Sequence, residues 1–229
     1  LDQIQKLNET PENSLLIPLT EIYEGSVPKR FGRLRRLYVD FFGKSDRKDE
    51  LARNYRFIGA EVPVEDSDHD ALTAARQLFN LRYSGGNLHS YKGLVRYEIS
   101  GALHEGRSSD LALAALWYTR LEEATKQRIR YELNPSAAVT GRLDCDGRVE
   151  AVEEETIRLK AEAAFFSRAE VLVVPSAQKN VFEKCLEDLR ERYPNRKLVL
   201  LDAENLEELF YDRRVAPLKI ESRIGYALR

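Results

Sequence analysis

Two bare apolar runs, residues 170–175 (EVLVVP) and 197–201 (KLVLL), flank residues 177–193, where apolar side chains recur at helical spacing. Runs without polar alternation suit strands covered on both faces, and a helix between two of them makes a βαβ unit. The pattern extends upstream. Residues 137–143 read as a strand, Asp144-Cys145-Asp146-Gly147 as a tight turn, residues 148–152 as the returning strand and 155–166 as a helix. A short helix is expected over 204–210. The C-terminal half is therefore βαβαβ-like, which requires helices layered on a sheet.

The N-terminal half is richer in strands, so the fold class expected is α+β. Strands are predicted at 15–19, in the second half of 33–42, at 57–64 and at 94–99. A charged, mobile loop is expected over 43–54. Asp66 or Ser67 can cap a helix carrying Leu72, Ala75, Phe79 and Tyr83 on one face, ended by Ser84-Gly85-Gly86-Asn87. Residues 108–121 (SSDLALAALWYTRL) are apolar nearly all round, so that helix must be buried, with Trp117 and Tyr118 in the core. Residues 1–14 are polar and read as a flexible lead-in to a single domain over 15–229.

At 229 residues the chain can bury a sizeable core. Its net charge of −2 argues against wrapping nucleic acid or anchoring on an acidic membrane. No apolar run nears the ~20 residues of a membrane span, and no signal peptide is evident. Cys145 and Cys185 lack metal or disulfide spacing, so a reducing, cytoplasmic setting is expected. The chain has no methionine, which suggests one domain of a longer polypeptide.

Two side chains carry reactive chemistry. Ser108 lies where a strand gives way to the apolar helix, a turn that exposes a hydroxyl near backbone N–H groups able to hold an oxyanion. Its plainer role is a helix N-cap, and Ser109 is a competing hydroxyl. Lys160 has Ile157, Ala161 and Ala164 as helical neighbours, so it borders an apolar face. Burial there would make it a neutral base, whereas most helical lysines are simply solvated. Other features have simpler readings. Residues 65–70 (EDSDHD) suit a helix start better than a cation site, and the basic run 29–36 suits a solvated strand edge. His104 could pair with Ser108, but no matching acid motif accompanies it. Residues 101–108 (GALHEGRS) approach the phosphate-loop pattern, with Arg107 in place of its lysine. The acids Asp202 and Glu204 follow an apolar run as in a magnesium site, so nucleotide binding is an alternative.

The motifs resemble those of the proteolytic domain of Lon-type proteases. His104-Glu105-Gly106-Arg107-Ser108-Ser109 is similar to the family's nucleophile segment, and Ala138-Val139-Thr140-Gly141 to its Met-Thr-Gly strand. Gly147-Arg148-Val149 resembles the hairpin that follows, and Lys160-Ala161-Glu162-Ala163-Ala164 the lysine helix. The resemblance covers roughly residues 15–215. It implies a Ser-Lys peptidase with Ser108 as nucleophile, Lys160 as base and Thr140 orienting the lysine. It further implies no metal or organic cofactor, a protein or peptide substrate, an ATPase module on the same or another chain, and assembly into homo-oligomers. Glu153-Glu154 stands where the family has Gly-Gly, and Ser108 and Lys160 are 52 positions apart, a longer interval than usual. A non-enzymatic module retaining the fold for assembly or binding is the other expectation.

Overall fold

Alternation along the first strand sets the layering. In a computed structural model, which describes residues 14–23, 29–45, 55–58, 67–83, 90–97, 103–104 and 107–220, strand β1 (Ser14–Tyr23) sends Leu15, Ile17 and Leu19 into one apolar cluster and Leu16 into another. Successive side chains of a strand point to opposite faces, so both faces of the sheet are covered. Helices α1 (Ser67–Arg82) and α2 (Asp110–Ala124) contribute to the first cluster. Helices α3 (Glu154–Phe165) and α4 (Lys179–Arg192) contribute to the second. The result is a mixed α/β sandwich of three layers.

The remaining strands of the main sheet are β2 (Lys29–Ser45), β3 (Tyr55–Ile58), β4 (Ser90–Tyr97), β5 (Leu103–His104), β7 (Ala137–Val139), β10 (Val171–Pro175) and β11 (Val199–Ala203). Their order is β11-β10-β7-β1-β2-β4-β3, with β5 also on β1. Strands β11, β10, β7 and β1 are parallel, whereas β1, β2 and β4 are antiparallel. The βαβαβ half thus runs β7-α3-β10-α4-β11, as expected. Because β2 occupies one edge of β1 throughout, β7 and β5 share the other, at Leu16 and at Glu21-Ile22 respectively.

Helix α2 is rich in Ala and Leu, strong helix formers, and every residue from Asp110 to Thr119 is buried. Trp117 and Tyr118 lie in the core, at 1% and 0% exposure. On the opposite face, Gly32 of β2 lets α3 approach closely: a Cβ there would sit 2.0 Å from the Leu159 carbonyl oxygen.

Several expectations are corrected. Among the described residues the basic run 29–36 pairs with β1 alone, because β4 joins β2 only from Leu37 onward, and it is exposed or part-buried as expected of a strand edge, except at its last residue. Arg36 is buried and donates to Ser14 Oγ at 2.9 Å and the Pro135 carbonyl at 3.0 Å. Ser14, assigned to the polar lead-in, begins β1. Gly43–Ser45, assigned to a loop, continue β2 against β4, and residues 46–54 lie outside the described residues. Strand β3 begins at Tyr55, two residues before the expected 57–64, of which 59–64 are likewise outside. The expected strand 137–143 is two: β7 stops at Val139, and β8 (Arg142–Leu143) pairs instead with β9 (Val149–Glu150). The run 197–201 is shifted to Val199–Ala203 and forms the sheet's edge, with Val199 37% exposed. Strands β6 (Ile129–Tyr131) and β12 (Leu218–Ile220) pair as a small separate sheet that was not expected. The short helix near 204–210 is a 3₁₀ turn over Leu206–Phe210, capped by Asn205.

Candidate active site

The break after Val139 is where the site forms. Beyond the carboxyl end of β7 the chain leaves the sheet, a common position for ligand sites in parallel sheets. Thr140 and Gly141 turn toward the segment preceding α2. There the Gly141 N–H donates to the Ser108 carbonyl at 2.9 Å, and Leu111 N–H returns a bond to the Gly141 carbonyl at 3.2 Å. The Thr140 hydroxyl, fully buried, also donates to the Ser108 carbonyl, at 3.3 Å. Gly141 permits this approach: a Cβ would lie 2.9 Å from Val149 Cγ1 and 3.2 Å from Leu111 Cδ2.

Ser108 is not the helix N-cap. Helix α2 begins at Asp110 with Ser109 at the cap position, and the Ser109 side chain makes no capping bond. Ser108 precedes the cap, 7% exposed. Arg107 holds the segment in place. Its guanidinium donates to Asp110 at 2.9 Å, to Asp70 of α1 at 2.6 Å and to the Leu143 carbonyl of β8 at 2.8 Å. The residue that departs from the expected motif is therefore a three-way anchor for the serine.

Lys160 comes from the other face of the sheet. Its neighbours Ile157, Ala161 and Ala164 are at most 1% exposed, and Lys160 itself is 4% exposed. Among the described residues no carboxylate comes within ion-pair distance of its amine. Burial lowers its pKa from 10.5 to about 8, opposed by the nearby charge of Glu153. Glu153 sits at the N-cap of α3, and Glu154 and Glu155 occupy its first turn. The two acids that replace the expected glycines thus complement the helix dipole.

Ser108 and Lys160 line one cavity of about 220 Å³, together with Thr20 and Ile22 of β1, Arg30 of β2, Arg107, Arg142, Val152, Glu153 and Thr156. The structure therefore brings the expected serine and lysine to a common space, although they sit on opposite layers. Thr140 adjoins the serine through its carbonyl. The other expected features do not gather there. Among the described residues no group of three His, Cys, Asp or Glu side chains could hold a metal, and Cys145 and Cys185 are separate free thiols. Residues 65–66 lie outside the described residues, as do 101–102 and 105–106 of the phosphate-loop-like stretch and the side chain of His104. No described helix is long and apolar enough to cross a membrane.

No protein-family model matches the chain, and no curated protein does.

Three contributors were not expected from sequence. Gln178, buried just before α4, grips Val152 on the cavity wall: its Oε1 accepts from the Val152 N–H at 2.8 Å and its Nε2 donates to the Val152 carbonyl at 2.7 Å. The buried Thr20 hydroxyl lines the cavity and has no hydrogen-bond partner among the described residues. Arg142 immediately follows the Thr-Gly pair and places a guanidinium at the rim. Only Arg142 carried a signal in sequence, as a cation beside the Thr-Gly pair.

Proposed function

We propose that the chain is a Lon-like serine peptidase whose Ser108 and Lys160 act as a dyad. What supports this reading is that Ser108 and Lys160, 52 positions apart, line the same cavity, and that the lysine is buried without a carboxylate partner among the described residues. With a pKa near 8, roughly a tenth of the lysine is neutral at pH 7, against less than about one part in a thousand for an ordinary lysine. It can then act as general base.

Ser108 Oγ bonds to the peptide carbonyl carbon as its proton passes to Lys160 Nζ. The amine returns that proton to the departing nitrogen as the C–N bond breaks. Water, deprotonated by the same amine, then bonds to the acyl carbon, and the amine passes that proton to Ser108 Oγ as the acyl C–O bond breaks. The Asp110 and Leu111 N–H groups are engaged by the Arg107 and Gly141 carbonyls, and in this reading the Ser108 N–H meets the oxyanion. Thr140 anchors the serine through its carbonyl, and its hydroxyl oxygen keeps lone pairs to accept from the amine.

The test is labelling with a serine-directed phosphonate alongside cleavage of an unfolded protein such as casein. Ser108→Ala should abolish both, and Ser109→Ala should spare both. Wild-type activity should rise with pH to a midpoint near 8. Absence of labelling and cleavage from about pH 6 to 9, where such a lysine becomes neutral, would leave an inert module.

A further inference from the structure

The cavity is lined by four cations, Arg30, Arg107, Arg142 and Lys160, and one anion, Glu153. Two of the cations have other roles: Arg107 is the anchor of the serine segment, and Lys160 is the buried amine. Arg142 is different. Its side chain is 45% exposed and faces Glu150, its cross-strand partner, at 3.6 Å, longer than a hydrogen bond. Exposed pairs of this kind contribute little, so another carboxylate can replace Glu150 at small cost. Arg30, 43% exposed, similarly meets the exposed Glu155 at 2.7 Å.

The position of Arg142 relative to Ser108 is fixed by backbone. It follows Gly141, whose N–H holds the Ser108 carbonyl. A guanidinium also presents the planar fork that fits a carboxylate through two parallel bonds. Glu153 in the lining, with Glu150 and Glu155 beside Arg142 and Arg30, repels an anion elsewhere and confines a favourable site to the guanidinium itself. At about 220 Å³ the space is smaller than the ~300 to 1,000 Å³ of sites for drug-sized ligands, and suits a side chain with its backbone.

We infer that the cavity selects an acidic side chain close to the bond being cut, with Arg142 as the residue that sets this preference and Arg30 flanking it. The inference rests on the peptidase reading for the identity of the ligand as a peptide. Its test uses quenched peptides identical except for Glu, Gln or Lys beside the cleavage position, on each side in turn. Wild type should prefer Glu over Gln by about fivefold in kcat/KM, the size expected for one partly exposed charge pair, with Lys slowest. Arg142→Ala should erase the preference and Arg142→Glu should invert it, with unchanged melting temperatures.

The same peptides binding to Ser108→Ala, followed by fluorescence anisotropy, should rank in the same order. Cleavage indifferent to charge would overturn the inference and leave the peptidase intact. Charge-ranked binding without any cleavage by wild type would remove the peptidase and keep the acidic ligand. Binding without rank would overturn the inference directly. ATP or inorganic phosphate binding lost in Arg142→Ala, with the peptides unranked, would assign the site to phosphate and also overturn it.

Discussion

Glu122 on α2 and Lys160 on α3 are both buried, at 0% and 4% exposure, and burial disfavours the charged form of each, but their surroundings differ in how far they compensate that cost. Glu122 accepts the Tyr83 hydroxyl at 2.7 Å and the Tyr131 N–H at 2.7 Å, within an aromatic layer that also includes Phe79, Tyr118 and Phe210. Burial pushes its carboxyl upward, and these two donors pull it back. Lys160 has no such partners: its amine is lowered by desolvation and raised only by the nearby charge of Glu153. A buried polar group with its bonds made strengthens the core, whereas one left without them destabilises the fold and is available for chemistry.

The largest test of that contrast is Lys160→Met. Lowering the pKa from 10.5 to about 8 corresponds to about 3 kcal/mol against the folded state while the amine is charged. Thermal melts at pH 7 should therefore show the variant more stable by about that amount. The folded lysine sheds its proton before the unfolded one, so wild-type stability should rise with pH between about 8 and 10.5 and the advantage should vanish above. A pH-independent difference would break the comparison.

Glu122→Gln should act with the opposite sign. An amide cannot accept both donors as the carboxylate does, so denaturant unfolding should show a loss of about 2 kcal/mol. Equal stability would mean the aromatic layer does not need the acid. Next in size is Gly141→Ala. Its Cβ would press on the ends of Val149 and Leu111, costing about 1 kcal/mol. The strained bond to the Ser108 carbonyl should lower kcat more than it raises KM. Smallest is Thr20→Val, which removes a buried hydroxyl without a partner and should leave stability equal or higher by under about 1 kcal/mol. A clear loss in a chemical melt would show that the hydroxyl is satisfied after all.

Much of the βαβαβ half was legible because its signals are local. The run 170–175 has no polar interruption, and Ile157, Ala161 and Ala164 placed Lys160 on an apolar face. The break at Thr140 was not legible. Val139-Thr140 is β-prone, and the chain leaves the sheet only because Gly141 bonds to Ser108, more than thirty positions earlier. In arginine-rich β2 the solvated edge was legible, whereas the burial of Arg36 was not, because the groups that accept its hydrogen bonds, Ser14 and Pro135, are distant in sequence. Strands β6 and β12 are three residues each and far apart in sequence, too short for a periodicity to emerge. In the site, residue types pointed to Ser108 and Lys160, while Gln178 and Thr20 became visible only through what they touch or fail to touch.

Arg107 joins α1, α2 and β8 through a single planar group immediately before Ser108. The Ser108 hydroxyl therefore inherits the firmness of whichever of those three pieces is weakest. On warming, loosening of α1 alone would unseat Ser108 while the central strands are still paired, so the proposed peptidase activity should fade at a lower temperature than the one at which the sheet melts.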